Sequence, residues 1–200
     1  FLTKIWNVNN FLKVNKCTFD GVIKPKNLKL NINKWIYNEL IETKILTENF
    51  IKNYRFDEAA KTIYKFVWNT YCDWYLELSK TILLSKNNSD IKEIKTTSGQ
   101  VFKEILILLH PFIPFITEEL WIRNKLKTKN TKYLMYSNWI SLKKLKTDKS
   151  IQSVNEIIEL ISSVRSFKNE LNVSPGSFVD ISIEKLDKKK QMLYLKNEII

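Results

Sequence analysis

The sequence predicts a mainly α-helical protein, an antiparallel helical bundle with a small mixed α/β extension at its C-terminal end. Three observations carry this. Apolar residues recur at three- and four-residue steps through most of the chain, which is the spacing of one helix face. Strand-like alternation occurs once, near residue 180. The chain has 200 residues and 44% hydrophobic content, enough for one sizeable core or one domain plus an appendage. No internal repeat is evident.

The first helix is expected over about residues 1–15, where Leu2, Ile5, Trp6, Val8, Phe11 and Leu12 give one richly apolar face. Residues 16–31 read as a loop, with Gly21, Pro25 and scattered Asn. A second helix runs over about 33–52 through Trp35, Ile36, Leu40, Ile41, Ile45, Leu46 and Ile51, with Asn31 or Asn33 as its cap. The third, over about 56–83, carries a stripe of Phe56, Ala60, Ile63, Val67, Thr70 or Tyr71, Trp74 and Leu78. Its aromatic residues lie on more than one face, which implies burial on several sides. Asp57 and Glu58 sit in its first turn, where acidic groups favour the positive end of the helix dipole.

Residues 85–96 read as a polar loop, and Thr97 with Gln100 has capping-box spacing for a fourth helix that runs to His110. Pro111 stops it, lacking an amide donor, and Pro114 opens a fifth helix to about Lys125. Residues 126–147 are lysine-rich and mostly irregular, with 133–139 extended. A sixth helix covers about 151–171. After the Pro175-Gly176 turn, Val179, Ile181 and Ile183 alternate with polar residues as in a strand, and 187–200 reads as helical.

The net charge is +12. Such an excess suits a polyanionic partner. Almost all of it is Lys, however, while Ala and Gly are scarce, so the composition reflects coding bias and supports nucleic acid only weakly. Cys17 and Cys72 have no CxxC spacing, and His110 is the single histidine, so neither a disulfide framework nor a zinc site is expected. No apolar run is long enough to span a membrane, and residues 1–12 are no signal peptide. A reduced, cytoplasmic protein is the expectation.

Catalytic constellations are missing. The sequence has no GxxxxGK[ST], GxGxxG or HExxH. His110 at a helix end is read as a capping or packing residue. Glu118 and Glu119 point about 100° apart on a helix and do not face one another. Three glycines offer few backbone cradles for phosphate. Binding fits this chain better than catalysis.

Four ordered segments then carry a resemblance. They are Lys4-Ile5-Trp6-Asn7 followed by Phe11; Tyr54-Arg55-Phe56-Asp57-Glu58-Ala59-Ala60 running into Phe66-Val67-Trp68-Asn69 and Cys72-Asp73-Trp74-Tyr75; Leu109-His110-Pro111-Phe112-Ile113-Pro114-Phe115 to Trp121; and Val164-Arg165-Ser166-Phe167 to Pro175-Gly176. Together they resemble the valyl-tRNA synthetases, class I aminoacyl-tRNA synthetases, over nearly the whole chain. The third segment is shared with the isoleucine and leucine enzymes; the second and fourth favour valine.

The resemblance implies a bundle of the class I synthetase anticodon-binding type. It places the anticodon-binding bundle at 1–147, its last long helix at 148–172, and the start of an α/β linker toward a C-terminal arm at 173–200. It implies tRNA, in particular tRNA-Val, and the catalytic domain of the same polypeptide as partners. The HIGH and KMSKS signatures that handle ATP are absent, so ATP would be used elsewhere in the parent. This chain is expected to be a piece of a longer polypeptide, inactive alone and without cofactor or metal of its own. Asn10 stands where family members often carry Arg, which replaces a charge-assisted RNA contact there.

Candidate RNA-binding residues follow on the less distinctive positions. Lys4, Asn7, Asn10 and Lys13 form a loose polar stripe on the first helix, and Lys24 and Lys26 add charge from the first loop, beside Lys16 and Lys29. Lysines would meet phosphates and asparagines exposed base edges. A solvated helix face explains the stripe equally well. Two competing readings are an isoleucyl-type module and a helical scaffold that binds a partner helix in an apolar groove. Trp68, Trp74, Trp121 and the Phe112–Phe115 cluster are expected in the core, and Arg55, Asp73 and Arg165 in helix-to-helix ion pairs.

Overall fold

The computed structural model describes residues 1–21, 23–126, 132–142, 149–174, 176–180, 182 and 190–191. The chain divides into two compact units, Phe1–Lys146 and Thr147–Ile200. The first contains α1 (Leu2–Val14), α2 (Asn31–Lys52), α3 (Phe56–Lys65), a π-helical segment (Phe66–Leu76), α4 (Glu77–Leu83), α5 (Asn88–Leu109) and α6 (Pro114–Arg123). The second contains α7 (Lys149–Glu170). No strand occurs among the described residues. The expected alternation at 179–184 and the helix over 187–200 fall mostly outside them.

The helices of the first unit run up and down in alternation. Tyr54 turns α2 into α3, and α3, the π-segment and α4 form one continuous rod. Phe1 stacks near Tyr64 at a centroid distance of 5.0 Å, and Lys80 lies over Phe11 at 5.9 Å, so α1 runs parallel to the rod. Lys103 lies over the ring of Trp121, and His110 bonds Thr117, so α6 runs back along α5. Ile5, Leu12, Ile36, Leu40, Ile63, Phe102, Ile105, Leu108, Leu120 and Trp121 fill the core.

The rod shows why the sequence pattern misleads there. Its buried series is Ala59, Ile63, Val67, Tyr71, Tyr75 and Ser79, in steps of four. An ordinary α-helix turns 3.6 residues per revolution, so steps of four drift about 40° each off the core. The wider i→i+5 winding of the π-segment holds the series inward. The expected stripe forms in part: Ile63, Val67, Tyr71 and Leu78 are buried, whereas Phe56 is exposed and Ala60 and Trp74 are half-buried.

Helix α5 begins earlier than its polar sequence suggests. Asn87 caps it, its side-chain oxygen accepting from the amides of Ser89 (3.1 Å) and Asp90 (3.4 Å), while its amide donates to Asp90 Oδ2 at 2.9 Å. Thr97 and Gln100, expected at the cap, lie inside the helix and are buried. The Pro111–Pro114 junction forms as expected: α5 ends at Leu109 and Pro114 opens α6. His110 Nδ1 lies 2.8 Å from Thr117 Oγ1, which can also donate to the carbonyl of Ile113 or Pro114. The His110–Thr117 bond, its direction set by the imidazole tautomer, ties the two helices together. Trp121 is fully buried as expected, but Phe115 is 91% exposed.

With only three glycines in the chain, helix ends use other residues in the left-handed conformation. Lys16, Tyr54, Lys125 and Asn172 have φ between 53° and 58°. The next amide reaches back in each case: Cys17 to Leu12, Arg55 to Phe50, Leu126 to Trp121 and Val173 to Lys168, at 2.8–3.0 Å. These are Schellman ends at positions that ordinarily take Gly. Relief of the Cβ strain should make Lys125→Gly or Tyr54→Gly more stable by about 0.5–1 kcal/mol, read as a raised denaturation midpoint.

Glu104 on α5 is 9% exposed and has no hydrogen-bond partner among the described residues. Burial pushes its carboxyl up to about 7, with Lys103 opposing. The folded value lies above the unfolded one, so the native state binds more protons between about pH 4.5 and 7. Stability is therefore present at the acidic side and is lost as pH rises through 7, by up to on the order of 3 kcal/mol. Glu104→Gln should raise the melting temperature at pH 8 and change it much less at pH 5; thermal melts at the two pH values check this.

Candidate nucleic-acid interface

Helix α1 buries Ile5, Val8, Asn9 and Leu12, so the opposite face is free for a partner. At about 100° per residue, each three-residue step from Lys4 to Asn7, Asn10 and Lys13 falls back about 60°, and the two lysines end about 180° apart. Asn7 and Asn10 consequently occupy the middle of the exposed face, and Lys4 and Lys13 its two edges. Asn9 Oδ1 accepts from Asn124 Nδ2 at 2.6 Å, anchoring the buried side to the end of α6.

The edge lysines are tied to neighbours. Lys4 Nζ donates to Asp73 Oδ1 at 2.9 Å and lies 4.4 Å from the ring centroid of Trp68. The hydrogen bond to Asp73 raises its pKa, with partial burial opposing, so Lys4 stays protonated. Lys13 Nζ donates to the Arg123 carbonyl at 3.3 Å. Asp73 thus forms the expected helix-to-helix pair, whereas Arg55 pairs, among the described residues, with Glu58 at the start of α3, at 3.6 Å.

Around the free face stand three cation–aromatic pairs: Lys4 with Trp68, Arg123 with Trp6 at 5.0 Å and Lys80 with Phe11 at 5.9 Å. Trp6, Phe11 and Trp68 are half-buried and present an edge to solvent. Each of these cations is also ion-paired, Lys4 with Asp73, Lys80 with Glu77 and Arg123 with Glu119, so the pairs hold the aromatic residues at the rim of the face, where rings serve single-strand recognition. Trp68, Lys80 and Arg123 were not legible as site residues, because they reach α1 from distant parts of the chain. Trp6 and Phe11 could have been noticed as aromatic residues at the margin of the apolar stripe.

Lys24 and Lys26 flank Pro25 in a 3-10 turn (Pro25–Asn27), both exposed and without an ion pair among the described residues. They do not join the α1 face; they belong to the loop docked on α5. Three features fix that loop. The Thr18 amide donates to the Lys95 carbonyl at 3.2 Å, Gln100 Nε2 donates to the Asp20 carbonyl at 2.9 Å, and Gly21 adopts φ 92°. The loop backbone comes so near α5 that a Cβ on Gly99 would sit 2.2 Å from the Thr18 carbonyl oxygen.

Among the described residues no group of three His, Cys, Asp or Glu side chains could hold a metal. Cys17 and Cys72 are buried free thiols, pushed up by burial to about 11 and about 12. Glu118 accepts from the amides of Leu134 (2.8 Å) and Met135 (3.1 Å), and Glu119 pairs with Arg123, so the two carboxylates serve different structural contacts. No helix among the described residues is long and apolar enough to cross a membrane.

Residues 33–183 match the anticodon-binding domain of tRNA ligase. The chain is 56% identical over 200 residues to a valine–tRNA ligase of Pelagibacter ubique, covering 100% of this chain and 23% of that protein. It is 44% identical over 121 residues to a valine–tRNA ligase of Bartonella henselae, covering 60% of this chain and 13% of the relative. A valine–tRNA ligase of Bartonella quintana is 36% identical over 184 residues, covering 92% and 20%. The chain thus spans less than a quarter of the length of these relatives. Helix α1 lies outside the family match and inside the Pelagibacter ubique match.

Because Gly99 admits the loop backbone, Gly99→Ala should force loop and helix apart, costing about 1–3 kcal/mol as in other overpacked sites. A lowered denaturation midpoint, with faster amide exchange at Thr18, is the expected result; an unchanged midpoint would show the contact to be compliant.

Proposed function

The chain belongs to the anticodon-binding domain family of tRNA ligases, and we propose that it grips the anticodon arm of tRNA-Val on the outer face of α1. Anticodon bases are single-stranded and can be splayed out for reading. The amides of Asn7 and Asn10 each offer two donors and an acceptor to a base edge. Lys13, Lys24 and Lys26 would meet phosphates and set the register, while Trp6 and Phe11 offer ring surface at the margin of the face. Lys4, committed to Asp73, places the Trp68 ring.

In this reading the chain contributes positioning and discrimination. Valine and ATP are handled by the catalytic domain of the same polypeptide, a cytoplasmic valine–tRNA ligase. The observation that carries the reading is the exposed Asn7–Asn10 face rimmed by three cation–aromatic pairs. The valine assignment draws on the three valine–tRNA ligases to which the chain is similar.

A fluorescence titration tests it, with tRNA-Val and with the same tRNA carrying a replaced anticodon, at two salt concentrations. Selective binding of the intact anticodon is expected, with an affinity that falls steeply with salt. Asn7→Ala combined with Asn10→Ala should weaken binding of intact tRNA-Val by about tenfold, at about 1 kcal/mol or less per lost base contact. The replaced-anticodon tRNA should be little affected by the same change. Equal binding of both tRNAs by the parent chain would overturn the reading.

A further inference from the structure

Beyond the end of α1, the docked loop and the first turns of α5 enclose an open cavity of about 440 Å³. Lys24, Lys29 and Lys92 line it, and none of the three makes an ion pair among the described residues. Its one carboxylate, Glu93, is already engaged: Oε1 accepts from the amides of Lys29 (3.1 Å) and Leu30 (3.0 Å) and from Asn33 Nδ2 (2.9 Å). Ile23 and Leu28 supply an apolar wall opposite the hydroxyls of Ser89 and Thr96. The cavity is held open by the loop anchors at Thr18, Asp20 and Gly21, so it is a preformed concavity.

Three lysines against one carboxylate leave the lining with a net positive charge, and beside an apolar wall and hydroxyl groups this suits an anion that carries a flat apolar part. The position says which one. The Cys17 amide bonds the Leu12 carbonyl and the Thr18 amide the Lys95 carbonyl, so the chain passes directly from the end of α1 into this wall. A strand lying along the free face of α1 would leave it past Lys13 and Lys16, at the end from which the chain enters this wall. We propose that the cavity takes one flipped-out nucleotide of the bound RNA strand, with its phosphate among Lys24, Lys29 and Lys92 and its base against Leu28 and Ile23. This rests on the RNA-binding reading of α1 and extends the footprint from the helix face to a pocket on α5.

The test compares Lys92→Glu with Lys86→Glu in the full chain, titrated with tRNA-Val at two salt concentrations. Lys86 is an equally exposed lysine near the same end of the bundle but outside the cavity, so the two variants change net charge alike. Lys92→Glu should weaken binding by about tenfold and lower the salt slope by about 0.7 or more, the share of one phosphate on a single strand. Lys86→Glu should change affinity less than about threefold through screened charge alone. Equal losses for the two variants, or none for Lys92→Glu while the parent chain binds, would overturn the pocket and leave the α1 reading standing. Absence of any tRNA binding by the parent chain would overturn both. A third arm uses adenosine monophosphate as competitor: displacement of tRNA at the affinity of the free nucleotide would assign the cavity to a free ligand and overturn the strand assignment, whereas weak competition is expected.

Discussion

The bundle hangs on one polar relay that runs from the half-buried Glu93 into the buried Asn33, Tyr75 and Ser98. Glu93 of α5 gathers the amides of Lys29 and Leu30 and the side chain of Asn33, at the point where α2 starts without a side-chain cap of its own. Asn33 in turn accepts from the Tyr75 hydroxyl at 2.8 Å, and Ser98 donates to that hydroxyl at 3.3 Å. Tyr71, stacked on Tyr75 with centroids 5.7 Å apart, donates to the Ser98 carbonyl at 2.8 Å. Three helices are thereby registered against each other by groups that are costly to leave unpaired inside a protein. The apolar core would tolerate sliding of smooth helix faces; the relay does not. It also explains the unusual winding of the rod, because Tyr71 and Tyr75 reach Ser98 and Asn33 only if both point inward, four residues apart.

The same relay explains what was legible in the sequence. Where burial is apolar, as along α2 and around the Pro111–Pro114 junction, the three- and four-residue period marks the helix well. Where a helix buries polar side chains, the period fails. The start of α5 reads as a loop because Glu93, Thr97 and Ser98 look like surface residues until their distant partners are known. The rod's stripe holds at Ile63, Val67, Tyr71 and Leu78 and departs at Phe56 and Trp74 for a related reason: a period of four belongs to a winding that apolar spacing alone does not announce. Phe115 joins the misread residues, since an aromatic beside two prolines looks like core and lies in solvent.

The interface divides along similar lines. Asn7 and Asn10 are visible from spacing alone, because they lie opposite the apolar stripe of α1. The aromatic and cationic rim is not visible, because Trp68, Lys80 and Arg123 approach from three other elements. The lysine count is a poor guide throughout. Lys4 and Lys13 sit in the same stripe and yet serve as brackets at opposite edges, holding α1 to the rod and to α6. What distinguishes the docked loop is backbone geometry, a close approach at Gly99 and a left-handed Gly21, and not its charge.

The long reach of the brackets on α1 has a consequence for the order of events during synthesis. Lys4 waits for Asp73, 69 residues later, and Asn9 for Asn124, 115 residues later. At ordinary translation speeds the second interval is on the order of ten seconds. For much of it, α1 has only the rod to pack against, and the α6 side of its platform is not yet made. The surface proposed to read RNA is therefore the first part of this chain to be translated and the last to be seated, and it becomes competent only when the bundle behind it is complete.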